Sequence, residues 1–206
     1  MFVLGASTLG EILMDVCAAL SRPIEGFFDD ANQEDEFLGV KILGGMDALL
    51  SNARVREAGV FVAIGDNQKR RTVCEQLKTA GFSLPRVIHP SAWVAPSARL
   101  GSGNLVLAGA CIGTRTRIGA FNLIFPGVCF SHHNEVGDFN FFAPNVSIGG
   151  VHPPGVQLPY RHEQRHRTLY PGAERFSLSA VDHRSGESRL WPQTIFKRSL
   201  TITPSV

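Results

Sequence analysis

Every sixth residue from Ile88 onward is bulky and apolar: Ile88, Val94, Leu100, Val106, Ile112, Ile118, Ile124, Phe130, Val136, Phe142 and Ile148. The position after each is usually small, as at Ala95, Gly101, Gly113, Gly119, Gly137, Ala143 and Gly149. This double periodicity predicts a parallel β-helix built from hexapeptides. Each apolar residue points inward, each small one permits a tight corner, and stacked coils complete one another's backbone hydrogen bonds. Cys111 and Cys129 are 18 residues apart, one triangular coil. They are expected to stack ~4.8 Å from each other, outside the core. Beyond Ile148 the phase meets Pro154, Tyr160, His166, Gly172 and Leu178, and the small-residue pattern is gone, so the helix stops or is replaced there. A solenoid of fewer than four coils leaves an edge that must be capped or buried in an oligomer.

The chain upstream reads differently. Phe2-Val3-Leu4-Gly5 is a short apolar strand that runs into Gly5-Ala6-Ser7-Thr8-Leu9-Gly10, and EILMDVCAAL follows with apolar residues at helical spacing. A second strand ends in Asp29-Asp30, and a β-branched run from Val60 ends in Gly65-Asp66-Asn67 before a helix-like stretch from Gln68 to Ala80. Strands alternating with helices imply a small parallel α/β unit with ligands at the carboxyl ends of the strands. The predicted division is 1–85 for the α/β domain, 86–150 for the hexapeptide β-helix and 151–206 for an atypical tail.

Composition narrows the function. With 206 residues, 44% of them hydrophobic, and a net charge of +2, the chain can bury a core but presents no electrostatic footprint for nucleic acid. No apolar stretch approaches the roughly 20 residues that span a bilayer, and the first five residues lack the charged lead of a secretory signal. A cytoplasmic protein with no membrane partner is expected. Four cysteines without a CxxC pairing predict reduced thiols and no metal site.

Several segments together resemble a known family: GASTLG, GFFDD, the Gly44-Gly45 pair after VKIL, VAIGDN, and VIHPSAWVAPSARLGSG with the hexapeptides through VGDFNFFAPNVSIGG. They are similar to the bacterial sugar acetyltransferases that join a Rossmann-like nucleotide-sugar-binding α/β domain to a left-handed parallel β-helix. That family includes the bacillosamine-pathway amino-sugar N-acetyltransferases and the sialic acid O-acetyltransferases. The resemblance covers residues 1 to about 150. It implies acetyl-CoA-dependent transfer to an amine or hydroxyl of a nucleotide-linked sugar or sialic acid, in a site between adjacent β-helices of a homotrimer.

Carried over residue by residue, the resemblance puts the family's general base on His132. A neutral imidazole suits that step, since it can take a proton from the attacking nucleophile at neutral pH. The sugar-nucleotide contacts fall on Ser7, Thr8 and Leu9, on Asp29 and Asp30, and on Gly65. Backbone N–H groups at a glycine turn suit phosphate, and a carboxylate at a strand end suits ribose or base. Three departures stand out. Ser131 and His133 occupy places where the family commonly has acids, Phe141 replaces a second histidine associated with acetyl-CoA, and Thr8-Leu9 replaces a Gly-His pair. No acetyl-CoA-binding residue is assigned on this basis.

Residues 151–206 carry 8 Lys/Arg against 4 Asp/Glu, whereas 1–150 carry 12 against 14. The tail is expected to replace further coils of the family, through a reading-frame change or a divergent extension. A family-derived protein that binds sugar nucleotide or self-assembles without turnover is therefore the alternative function. His162-Glu163-Gln164-Arg165-His166 spells the H-E-x-x-H of zinc hydrolases. Pro159 and Pro171 bracket it and no apolar stripe would dock a helix there, so zinc hydrolysis is the remote alternative.

Overall fold

The computed structural model describes residues 1–32 and 34–150. The tail of 151–206, with its H-E-x-x-H segment, lies outside the described residues. Among the described residues no helix is long and apolar enough to cross a membrane.

The N-terminal part is an α/β layer. Strand β1 (Phe2–Leu4) is the centre of a parallel sheet, flanked by β2 (Gly26–Phe28) and, after a β3–β4 hairpin (Glu36–Phe37 and Val40–Lys41) and helices α2 (Met46–Ser51) and α3 (Ala53–Ala58), by β5 (Val60–Val62). Every residue of these three sheet strands is buried, as expected for parallel strands covered on both faces. Helix α1 (Thr8–Ala19) packs on the sheet through Leu9, Leu13, Val16 and Cys17, and α4 (Asn67–Thr79) through Cys74 and Leu77. The hairpin, α2 and α3 have no counterpart in the sequence reading. They are too short for periodicity to announce them.

Residues 87–148 form a left-handed parallel β-helix. Its two-residue strands run β6 (Val87–Ile88), β7 (Trp93–Val94), β8 (Arg99–Leu100), β9 (Leu105–Val106), β10 (Cys111–Ile112), β11 (Arg117–Ile118), β12 (Leu123–Ile124), β13 (Cys129–Phe130), β14 (Glu135–Val136), β15 (Phe141–Phe142) and β16 (Ser147–Ile148). They form three parallel walls, β6-β9-β12-β15, β7-β10-β13-β16 and β8-β11-β14, with partners 18 residues apart. The second residue of each strand points inward. In the middle coils Val106, Ile112, Ile118, Ile124 and Phe130 are buried together. Cys111 pairs with Cys129 on the outward side and both are half-buried, as expected.

Two details change the reading of the small residues. A Cβ at Gly113 would collide with the carbonyl of Ser131 on the next coil, and one at Gly101 would lie 2.8 Å from the backbone of Gly119. These glycines let coils stack closely. The sharp corners lie elsewhere, three residues after each inward residue, where φ is positive at Gly103, Gly109, Arg115, Phe121, Gly127, His133, Phe139 and Asn145. A column of asparagines braces one edge: Asn122 donates from N to Oδ1 of Asn104 at 2.7 Å, and Asn140 donates likewise to Asn122 at 2.8 Å.

The α/β layer and the helix share cores. The outward residues Val87, Leu105 and Leu123 of the first wall are buried beside Leu9, Leu13 and Val16 of α1. Phe121 and Phe139 join Leu4, Val62 and Leu77 in a second cluster.

Candidate active site

The carboxyl ends of β1, β2 and β5 lie side by side because the sheet is parallel with β1 in the middle. Gly5 has φ +112 and its Cα faces the Ala63 carbonyl so closely that a Cβ would lie 2.6 Å from it. A Cβ at Gly10 would lie 2.5 Å from the Gly5 carbonyl. The glycine turn is therefore dictated by packing. It delivers the exposed Ser7 and Thr8 to the start of α1, where Ser7 makes no side-chain cap. The backbone donors of that first turn are oriented as an anion would need them. Leu9 points the other way, into the core, so only its main chain can face a ligand.

Asp29 and Asp30 follow β2, and both carboxylates already serve the turns. Asp29 Oδ2 accepts from Ala6 N at 2.7 Å, and Oδ1 accepts from Ala31 N at 2.8 Å and Asn32 N at 3.0 Å. Burial by itself would raise the Asp29 carboxyl, but the three N–H donors outweigh it and hold the group below the usual carboxylate range. Asp30 Oδ1 accepts from Met46 N at 2.8 Å, at the start of α2. Asp29 thereby uses three of its roughly four acceptor positions, which leaves one on Oδ2 for a ligand.

Gly65, after β5, is exposed, and a Cβ there would meet nothing within 4 Å among the described residues. Its carbonyl is fixed from behind by Arg70, a residue that sequence reasoning missed. Arg70 is 1% exposed. It donates to the carbonyls of Ile64 (3.0 Å), Gly65 (3.1 Å) and Phe121 (3.3 Å), and to Oδ1 of Asn67 at 2.6 Å. Burial lowers its pKa to about 10, an effect that Cys74 and Asp66 partly offset. One guanidinium thus ties the β5 loop to a corner of the β-helix, and a single arginine at helical spacing carries no sequence signal for such a role.

His132 lies at the corner between β13 and β14, on a different element from the glycine turns. The Nδ1 atoms of His132 and His133 are 3.2 Å apart, and the rings meet edge to face with centroids 5.3 Å apart. On the coil above, Gly150 abuts the His132 ring, and a Cβ there would collide with Cε1 and Nε2. Glu135, the acid nearest in sequence, faces Arg117 at 4.0 Å across the third wall. That wall carries a shallow groove of about 630 Å³ lined by Arg99, Arg117, Glu135 and the glycines between them. Phe141, in the place of a second histidine, packs on Phe125 with centroids 4.7 Å apart.

Comparison with known proteins accords with this arrangement. Residues 1–77 match the family described as the PglD N-terminal domain. The chain is similar to a histidine-to-alanine variant of GDP-perosamine N-acetyltransferase from Caulobacter crescentus, in complex with CoA and GDP-perosamine. The identity is 32% and the TM-score 0.66, over 72% of this chain and 70% of that one. It is also similar to the acetyltransferase domain of PglB from Neisseria gonorrhoeae in complex with acetyl coenzyme A, at 27% identity and a TM-score of 0.66 over 72% of each chain. WeeI from Acinetobacter baumannii shares the fold at 20% identity and a TM-score of 0.63, over 71% of this chain and 70% of that one. No curated protein matches the sequence.

Proposed function

The chain belongs to the sugar acetyltransferases that carry a PglD-type N-terminal domain, and from that premise we propose that it moves the acetyl group of acetyl-CoA onto an amino group of a nucleotide-linked sugar. His132 is the general base. The observation that carries this reading is the His132 imidazole at the coil corner that leads from β13 into β14, the strand paired with that of Arg117 in the third wall. The sugar amine attacks the thioester carbonyl, a C–N bond forms and the C–S bond breaks. His132 accepts the proton from the amine and returns it to the departing thiolate. The two arginines of the groove suit an anionic donor such as acetyl-CoA.

The nucleotide end of the acceptor meets the strand ends. Its phosphates lie against the N–H groups of Ser7, Thr8 and Leu9, its base and ribose against Asp29 and Asp30, and the bare face of Gly65 lets it approach closely. Gly65→Leu tests this, because among the described residues no atom lies within 4 Å of a Cβ placed there. The Michaelis constant for the nucleotide sugar should rise with thermal stability unchanged, and an unchanged constant would remove Gly65 from the site.

Incubation with acetyl-CoA and a panel of nucleotide 4-amino sugars and sialic acid, with His132→Ala as control, tests the reaction. Acetylation of an amino-sugar nucleotide that the substitution abolishes is the expected outcome. Transfer to a sialic acid hydroxyl would reassign the acceptor, and activity indifferent to the substitution would remove His132. Binding without turnover would leave the non-catalytic alternative. Assembly as a homotrimer is part of the proposal, supported by Trp93, 54% exposed on the outward side of β7. Light scattering giving a monomer mass would overturn it.

A further inference from the structure

We propose that His133 is a positioning residue for His132: its Nδ1 accepts a hydrogen bond from the Nδ1–H of His132 and so fixes the tautomer in which the lone pair sits on His132 Nε2. This rests on the general-base role of His132 proposed above.

The chemistry follows from one contact. Two imidazole Nδ1 atoms 3.2 Å apart need one hydrogen between them. Two lone pairs would repel and two N–H groups would collide, so the two rings hold complementary tautomers. If His132 donates, its Nε2 is the basic atom. If His133 donates, His132 carries its hydrogen on Nε2 and cannot begin the reaction as a base. The first arrangement is the one that serves acetyl transfer. It also leaves the proton gained at Nε2 on a ring whose Nδ1–H stays bound to the His133 acceptor.

The backbone at His133 makes the side chain conspicuous. Its φ is +55, the left-handed conformation found at each corner from Gly103 to Asn145, and its N–H donates to the Thr114 carbonyl at 2.8 Å. Glycine adopts this conformation with least strain and stands at the equivalent corners Gly103, Gly109 and Gly127. Corner geometry therefore does not ask for an imidazole. Contact with His132 accounts for one. The neighbouring Asn134 is buried, and its Nδ2 reaches the His132 carbonyl at 3.5 Å, which holds the corner from inside. Gly150 completes the arrangement, since its lack of a side chain leaves room for the Cε1–Nε2 edge of His132.

Two substitutions separate the acceptor from the backbone. Glycine and asparagine both tolerate a positive φ, but only asparagine offers a side-chain acceptor. His133→Gly should lower kcat by about tenfold to a hundredfold with both Michaelis constants within about twofold of wild type. His133→Asn should recover most of that loss. A purely structural His133 predicts the opposite for glycine, which relieves the corner. Wild-type kcat in His133→Gly, together with an inactive His132→Ala, would overturn the positioning role and leave the general base standing. Activity in His132→Ala would instead overturn the general base. Nitrogen-15 NMR of the histidine rings gives a readout independent of turnover: His132 should be the Nδ1–H tautomer in the wild type and a mixture in His133→Gly. An Nε2–H tautomer in the wild type would refute the proposal.

Discussion

Phe121 and Phe139, 18 residues apart, stack with ring centroids 4.8 Å apart and planes 20° from parallel. Each sits at a positive-φ corner of the β-helix, yet both rings are buried in the core of the α/β layer beside Leu4, Val62 and Leu77. Arg71 lies 4.7 Å over the face of Phe139. Two residues that the coil geometry would rather have as glycine are thus used as the bolt between coil and sheet.

Removing that bolt should cost more than its backbone strain returns. Phe139→Ala is expected to destabilise by about 3–5 kcal/mol. Phe139→Gly, which relieves the positive φ, should be less damaging by about 1 kcal/mol, the reverse of the usual order of the two residues. Urea unfolding of both variants measures this; glycine proving the worse of the two would mean that the corner is not strained.

The asparagine column is a load shared between coils. Asn122 is fully buried, accepts from both nitrogens of Asn140 at 2.8 and 2.9 Å, and donates to Asn104 at 3.1 Å. Asn122→Ala strands polar groups on both neighbours and should cost about 3 kcal/mol or more, against about 1 kcal/mol for an exposed asparagine such as Asn145. Equal losses at the two positions would argue that water replaces the ladder.

Asp29 gives the α/β layer an acid-sensitive element. Its carboxyl is held below the ordinary range when folded, so the stabilisation is present in full above the unfolded value of about 3.9. It is lost as pH falls through the lower folded value. The stability gap between wild type and Asp29→Asn should therefore be constant near neutrality and shrink below about pH 4. A gap that widens on acidification would contradict the three N–H bonds to this group.

Cys111 and Cys129 offer a chemical ruler for the coil. Their strands pair in register and both thiols are half-buried on the outward side, while Cys17 and Cys74 are buried. A short bifunctional thiol reagent should bridge Cys111 and Cys129 within one chain, as peptide mass mapping would show. Burial, and then the neighbouring Cys129 thiol, raise the Cys111 pKa above its ordinary 9.0. The bridging rate should accordingly still be climbing above pH 9. Linkage to Cys17 or Cys74 instead would refute the 18-residue register.

How much of this was legible beforehand depends on the range of the interaction. The inward column from Ile88 to Ile148, the 18-residue stacking of the two cysteines and the strand–turn–helix around Gly5 and Gly10 were written in local spacing, because a repeating coil poses the same steric problem every six residues. His132 came from a motif match, and the same match named Asp29 and Asp30 without revealing that Ala6 and Met46 already occupy part of their hydrogen-bonding capacity. Neither the true corner position, three residues after each inward one, nor the reason for the glycines was visible. A Cβ at Gly113 is forbidden by Ser131, which only the next coil brings near.

What the sequence determined by itself is the coil, its phase and the parallel α/β layer before it, since periodicity and burial of apolar residues are properties of short stretches. What only the tertiary structure decided is the set of long-range choices: Arg70 reaching the Phe121 carbonyl 51 residues away, the Phe121–Phe139 bolt, and the Nδ1 contact at His132. These depend on where a coil edge happens to meet a sheet edge and on how two adjacent rings turn at one corner. No six-residue rule encodes that meeting, because its energy comes from desolvated hydrogen bonds and ring packing that exist only once both layers have formed.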